Sequence, residues 1–134
     1  NYTRYADDLV FSTGPTQAHR AAALLKRCKQ ILSQEGFIPH PTKQHLSRKG
    51  QRQSVTGVVV NHHLTLPREE IRTLRAILHN AKKTGLAAQN RENHPDFPRW
   101  LRGKLAWLAM VDPAKGQALL QELNQLQGRT EKIG

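Results

Sequence analysis

The chain has 134 residues, 37% hydrophobic and 23% charged, with 21 lysines and arginines against 10 acids and a formal net charge of +11. No apolar run approaches the ~20 residues that span a bilayer, and no charged-then-apolar leader opens the chain, so neither a membrane span nor a secretory signal is expected. Cys28, the lone cysteine, can form no internal disulfide, which fits a reducing, cytoplasmic setting. So basic a surface seeks a polyanion, nucleic acid before anionic lipid. With aromatic residues at only 5%, phosphate contact rather than base stacking should dominate affinity.

The charge is unevenly placed. Before Glu69 the only acids are Asp7, Asp8 and Glu35, while Arg20, Lys26, Arg27, Lys29, Lys43, Arg48, Lys49, Arg52 and Arg68 accumulate around them. Two adjacent aspartates in that setting are either offset by neighbouring cations or placed to hold metal cations.

In chain order, Tyr2 to Thr13 reads as strand, tight turn, strand, with β-formers flanking Ala6-Asp7-Asp8 and Gly14-Pro15 closing the unit. A helix is predicted from Pro15 to Glu35, with Leu24, Leu25, Cys28, Ile31 and Leu32 on one face and Gly36 as its stop. Lys43 to Ser47 reads as another strand and Arg48 to Arg52 as a basic turn. Val55 to Val60 is a β-branched run holding one glycine, Gly57, turned by Asn61-His62-His63, with Leu64 to Leu66 as a returning arm.

At Pro67 the period changes, and a boundary is placed between 66 and 67. Pro67 suits a helix's first position, with Glu69 and Glu70 where the macrodipole favours acids. Ile71, Leu74, Ile77, Leu78 and Ala81 form the buried stripe, and Arg68, Arg72, Arg75, His79 and Lys82 or Lys83 a basic one. A polar loop from Gly85 leads to a helix over Phe97 to Val111, with Trp100, Leu101, Leu105 and Leu108 inward. Asp112-Pro113 opens a last helix carrying Leu119, Leu120, Leu123 and Leu126, and the tail from Gln127 is expected to fray. Trp100 and Trp107 are read as core, and His62-His63 has no partners at zinc-ligand spacing. The fold class is α+β: hairpins and a helix, then an all-helical portion.

Successive strand residues point to opposite faces, so Asp7 and Asp8 can serve one site only if the backbone turns between the strands. A hairpin tip does this and suits Mg²⁺, which keeps waters and substrate phosphates as its other ligands. Two such ions clamp the attacking and leaving oxygens of phosphoryl transfer.

The string Tyr2-Thr3-Arg4-Tyr5-Ala6-Asp7-Asp8-Leu9-Val10-Phe11-Ser12 resembles the Tyr-x-Asp-Asp box of bacterial reverse transcriptases. Gly36-Phe37 followed by Lys43 is similar to the family's next palm motif. Val55-Thr56-Gly57-Val58-Val59-Val60-Asn61 resembles the primer-gripping hairpin in the version typical of retron enzymes. Leu101-Arg102-Gly103-Lys104 and Val111-Asp112-Pro113 fall where retron-type thumbs have similar segments.

The resemblance implies an RNA-directed DNA polymerase, with residues 1–66 as the C-terminal part of the palm and 67–134 as the helical thumb. It implies Asp7 as the main metal-bridging carboxylate with Asp8 secondary, in a two-ion Mg²⁺ site completed by an aspartate outside this chain. Tyr5 and Ala6 would flank the primer end, and Lys43 would neutralise or protonate the leaving pyrophosphate. Val55, Thr56, Gly57 and Asn61, with Arg68, Arg72, Arg75 and His79, would contact nucleic acid. The implied partners are an RNA template, an RNA/DNA primer hybrid, dNTPs and a structured noncoding RNA, with no membrane. Lacking fingers and the other palm aspartate, the chain alone is expected not to polymerise, and its open palm edge to favour self-association. The competing expectation is a non-catalytic, maturase-like RNA-binding module.

Overall fold

A computed structural model describes residues 1–131, with side chains as far as residue 128. Two small antiparallel hairpins and four α-helices follow one another as β1 (Tyr2–Tyr5), β2 (Asp8–Phe11), α1 (Ala21–Gln34), β3 (Ser54–Val55), β4 (Val58–Val59), α2 (Arg68–Thr84), α3 (Phe97–Val111) and α4 (Pro113–Glu131). This is an α+β chain. It divides into two compact units, Asn1–Gln51 and a second beginning at Arg52.

In the first unit β1 and β2 pair with Tyr2 opposite Phe11, Thr3 opposite Val10, Arg4 opposite Leu9 and Tyr5 opposite Asp8. The Tyr2 and Phe11 rings meet at 5.1 Å, a cross-strand aromatic pair that helps hold the ribbon. The helix expected from Pro15 begins as a 3-10 segment, Pro15–Arg20, and becomes α-helical only at Ala21. Gly14 has no side chain to cap the start, and the Gln17 amide bonds instead to the Gly14 carbonyl at 3.0 Å. At the other end the Phe37 amide reaches the Leu32 carbonyl and the Gly36 amide that of Ser33, the paired bonds of a Schellman stop.

Two expectations for this unit are corrected. No strand forms over Lys43–Ser47. Pro39 and Pro41 stiffen the approach, and Thr42 Oγ1 and Gln44 Nε2 close back on His40 at 3.2 Å each. The inward face of α1 is also narrower than its stripe suggests: Leu24, Cys28 and Leu32 are half-buried, whereas Leu25 and Ile31 are exposed. No residue from 1 to 51 is buried, and Tyr5 and Ile38 stand 71% and 94% exposed.

The second unit holds the core. Leu66, Ile71, Leu74, Leu78, Phe97, Leu101, Leu105, Leu108, Leu119 and Leu123 form one buried cluster, with Trp100 and Trp107 packed partly buried against it. The α2 and α4 stripes follow the expected 3.6-residue period. Helix α2 begins at Arg68, with Pro67 extended (φ −52°, ψ 140°) as its N-cap instead of its first helical residue. Helix α3 keeps its expected bounds, and Asp96 caps it by accepting the Arg99 amide at 3.1 Å. Helix α4 runs to Glu131, so no fraying sets in at Gln127, whose side-chain oxygen accepts from Arg102 at 2.7 Å. The last part of that expected tail, residues 132–134, lies outside the described residues.

The valine run is not one strand but two, folded back at Thr56-Gly57, with Ser54 opposite Val59 and Val55 opposite Val58. Asn61-His62-His63 then turns the chain as expected, and Thr65 pairs with Val59 through amide–carbonyl bonds of 2.7 and 3.1 Å. The result is a three-stretch meander sharing a compact unit with the helices. The expected division at 66/67 follows the change of period; compactness divides the chain at Gln51/Arg52. Among the described residues no helix is long and apolar enough to cross a membrane.

Candidate nucleic-acid interface

The acidic pair sits where the chain reverses. With Tyr5 paired to Asp8, Ala6 and Asp7 form a two-residue turn, and Ala6 takes φ +50°. That left-handed conformation costs an L-residue roughly 1–2 kcal/mol. Arg4 helps hold it: its Nε donates to the Ala6 carbonyl at 2.8 Å. Asp7 lies in the turn, and Asp8, the first residue of β2, shares a face with Tyr5 by register. Tyr5, Ala6, Asp7 and Asp8 are all exposed, and no ion pair ties up either carboxylate among the described residues.

Two exposed, unpaired carboxylates on one turn are the donor type a hard cation takes, and Mg²⁺ is commonly held by one or two protein carboxylates with phosphates and water completing its shell. Among the described residues no group of three or more His, Cys, Asp or Glu side chains comes together. Asp7 and Asp8 thus stand as a pair, with no third such side chain beside them among the described residues. Lys43, in the same unit, lies exposed in the bend after Thr42.

In the second unit, Thr56 and Gly57 form the tip of the β3–β4 hairpin with φ of +48° and +85°. Two positive φ values are what a type I′ turn requires, and glycine satisfies the second without strain. Thr56 does not fit so easily: a β-branched residue is a true outlier there, with strain on the order of 1–3 kcal/mol. Its hydroxyl donates to the Val55 carbonyl at 2.8 Å, leaving the oxygen lone pairs outward as acceptors. Thr56 and Gly57 are exposed and Val55 half-buried. The Asn61 side-chain oxygen accepts the Gln53 amide at 2.8 Å, so Asn61 braces the hairpin base.

The basic stripe of α2 is real. Arg68, Arg72, Arg75 and His79 recur at four-, three- and four-residue steps and all are exposed. The two acids of the first turn are taken up elsewhere: Arg52 pairs with Glu69 at 3.5 Å and Lys104 with Glu70 at 3.0 Å. Both sides of the Arg52–Glu69 pair are mostly exposed, so it adds little stability. Among the described residues no acid forms an ion pair with Arg68, Arg72 or Arg75. Lys82 is different, because it pairs with Glu122 and ties α2 to α4.

Three residues outside the expected set brace this unit. The Trp107 ring lies under Gly57, and Lys104 Nζ is 5.5 Å from that ring's centroid. Asp112 accepts the Thr65 hydroxyl at 3.2 Å and the Lys115 ammonium. The Lys115 side chain holds the Asp112 carboxyl below its ordinary pKa, against the opposing effect of burial, with the Lys115 amide and Thr65 assisting. The i,i+3 spacing of Lys104 and Trp107 was visible in sequence, but nothing there placed a tryptophan beneath the turn.

Two curated relatives are similar along most of the chain. It is 41% identical over 140 residues to the Retron Mx162 reverse transcriptase of Myxococcus xanthus, an alignment covering 94% of this chain and 28% of that protein. To the Retron Mx65 reverse transcriptase of the same organism it is 40% identical over 119 residues, covering 88% of this chain and 26% of that protein. The chain spans about a quarter of the length of the curated relatives it matches. No family model and no solved structure matches it. The chain belongs to the retron-type reverse transcriptase family.

Proposed function

We propose that this chain forms part of an RNA-directed DNA polymerase and contributes catalytic carboxylates and nucleic-acid contacts to it. Residues 1–66 are palm and 67–134 thumb in this reading. The observation that carries it is the Tyr5-Ala6-Asp7-Asp8 turn, solvent-facing and free of ion pairs, within a chain similar to two retron reverse transcriptases.

Asp7 and Asp8 would hold Mg²⁺ together with an aspartate from outside this chain; bound there, the metal supplies Lewis-acid activation of the primer 3′-hydroxyl and charge neutralisation at the triphosphate. Tyr5 and Ala6 flank the primer end, and the absence of a side chain beyond Cβ at Ala6 leaves room for the sugar. Lys43 offsets charge on departing pyrophosphate. Arg68, Arg72 and Arg75, with His79 beside them, contact phosphates of the RNA/DNA hybrid, and the Thr56-Gly57 turn contacts a structured RNA. Substrates are dNTPs on an RNA template.

The test is RNA-templated primer extension by the full polymerase carrying this segment. Asp7→Asn should lower extension about a thousandfold, the scale of losing a metal-bridging carboxylate, with RNA affinity changed little. Undiminished extension would contradict the catalytic assignment and favour the RNA-binding module, whose support is the exposed arginine face of α2.

A further inference from the structure

The Thr56-Gly57 turn closes a ladder of only two residue pairs. A hairpin that short does not hold its own shape in water, and Thr56 sits at φ +48°, a conformation it would leave if released. Asn61 and the pairing of Val59 with Thr65 hold the hairpin's base, and α3 backs its tip. A Cβ built on Gly57 would lie 3.5 Å from Trp107 Cη2 and 3.9 Å from its Cζ2, so the benzo edge of the indole backs the turn at the distance a methyl group on Gly57 would touch. On the ring's face Lys104 Nζ lies 5.5 Å from the centroid and is itself bonded to Glu70 Oε1 at 3.0 Å. The rest of the indole packs against the buried cluster. At the hairpin's other end, Thr65 is fastened to Asp112 at the α3–α4 corner.

We infer that Trp107 is a positioning residue that presents the Thr56-Gly57 turn, pre-shaped, to a structured RNA. The inference rests on the reading that this hairpin meets RNA. With its hydroxyl proton spent on Val55, Thr56 faces outward as an acceptor, suited to a 2′-hydroxyl or a base N–H. Such a contact discriminates among RNAs. Phosphate contacts by Arg68, Arg72 and Arg75 supply affinity that is salt-dependent and indifferent to sequence. Trp107 therefore governs discrimination, and α2 governs the salt slope.

The experiment uses the full polymerase carrying this segment and a panel of labelled RNA stem-loops with one common stem and varied loops. Dissociation constants are measured over a potassium chloride series. Trp107→Leu should shrink the ratio between weakest and tightest loop about tenfold, or 1.4 kcal/mol, with the salt slope unchanged, and Trp107→Phe should restore most of it. Because Trp107 also touches the core, Lys104→Met is measured beside it; it frees the ring without disturbing the core and should shrink the ratio about threefold. A variant that melts like the parent yet keeps the parental ratio would overturn the inference, as would a uniform loss of affinity for every loop. Equal binding of all loops by the unaltered protein would instead overturn the RNA-recognition reading itself, and the inference with it.

Discussion

Asp112 shows how a single side chain serves several elements. It closes α3, accepts the Lys115 amide and ammonium within the first turn of α4, and receives the Thr65 hydroxyl from the meander. Since its folded pKa is depressed, its contribution is fully present above the ordinary carboxylate value and is lost as pH falls through the lower folded one. Unfolding midpoints in urea should therefore drop as pH falls through and below the ordinary carboxylate range, and Asp112→Asn should flatten part of that drop while lowering stability at neutral pH. An unchanged acid limb in the variant would show that Asp112 does not govern it. Asp112-Pro113 was legible in sequence as a helix opening, because the cap is local. Its bond to Thr65 was not, because the two residues are 47 apart in the chain.

At the scale of elements, α3 and α4 pack as closely as two helices can at one point. A Cβ on Gly116 would stand 2.1 Å from the Ala109 backbone and 2.6 Å from its Cβ. No rotamer relieves a clash with backbone, so Gly116→Ala should destabilise the second unit by about 1–3 kcal/mol, the usual scale of overpacking. A thermal melt reads this directly, and an unshifted midpoint would mean that the helices separate without cost. The helices were legible because apolar residues at 3.6-residue spacing and the cap Asp112 are signals carried by the segment itself. The valine run was misread as continuous. β-branched residues favour a strand everywhere along it, and nothing local in the run announces a positive φ at Thr56 beside Gly57. The expected Lys43–Ser47 strand failed for a related reason: a strand needs a partner ladder, and local bonds to His40 won.

The whole molecule joins a well-packed unit to one with no buried residue. In the second, large apolar side chains interlock across three helices. In the first, Tyr2, Tyr5, Leu9, Phe11, Phe37 and Ile38 are all exposed. Native-state hydrogen exchange of this chain should therefore protect amides of α2, α3 and α4 well beyond those of β1, β2 and α1. Equal protection in both would contradict that contrast. Composition alone foretold the polyanion-seeking charge. The acidic turn stood out because two carboxylates broke a long cationic stretch, and the structure puts them on a bend with Ala6 in a left-handed conformation.

The central claim, that this turn holds the metal of a polymerase, is tested most directly by replacing Mg²⁺ with Fe²⁺ in the full protein and generating hydroxyl radicals with ascorbate. Backbone scission at Ala6 to Asp8, suppressed by excess Mg²⁺ and abolished by Asp7→Asn, is the predicted result. Scission confined to other segments, or persisting unchanged in Asp7→Asn, would contradict it.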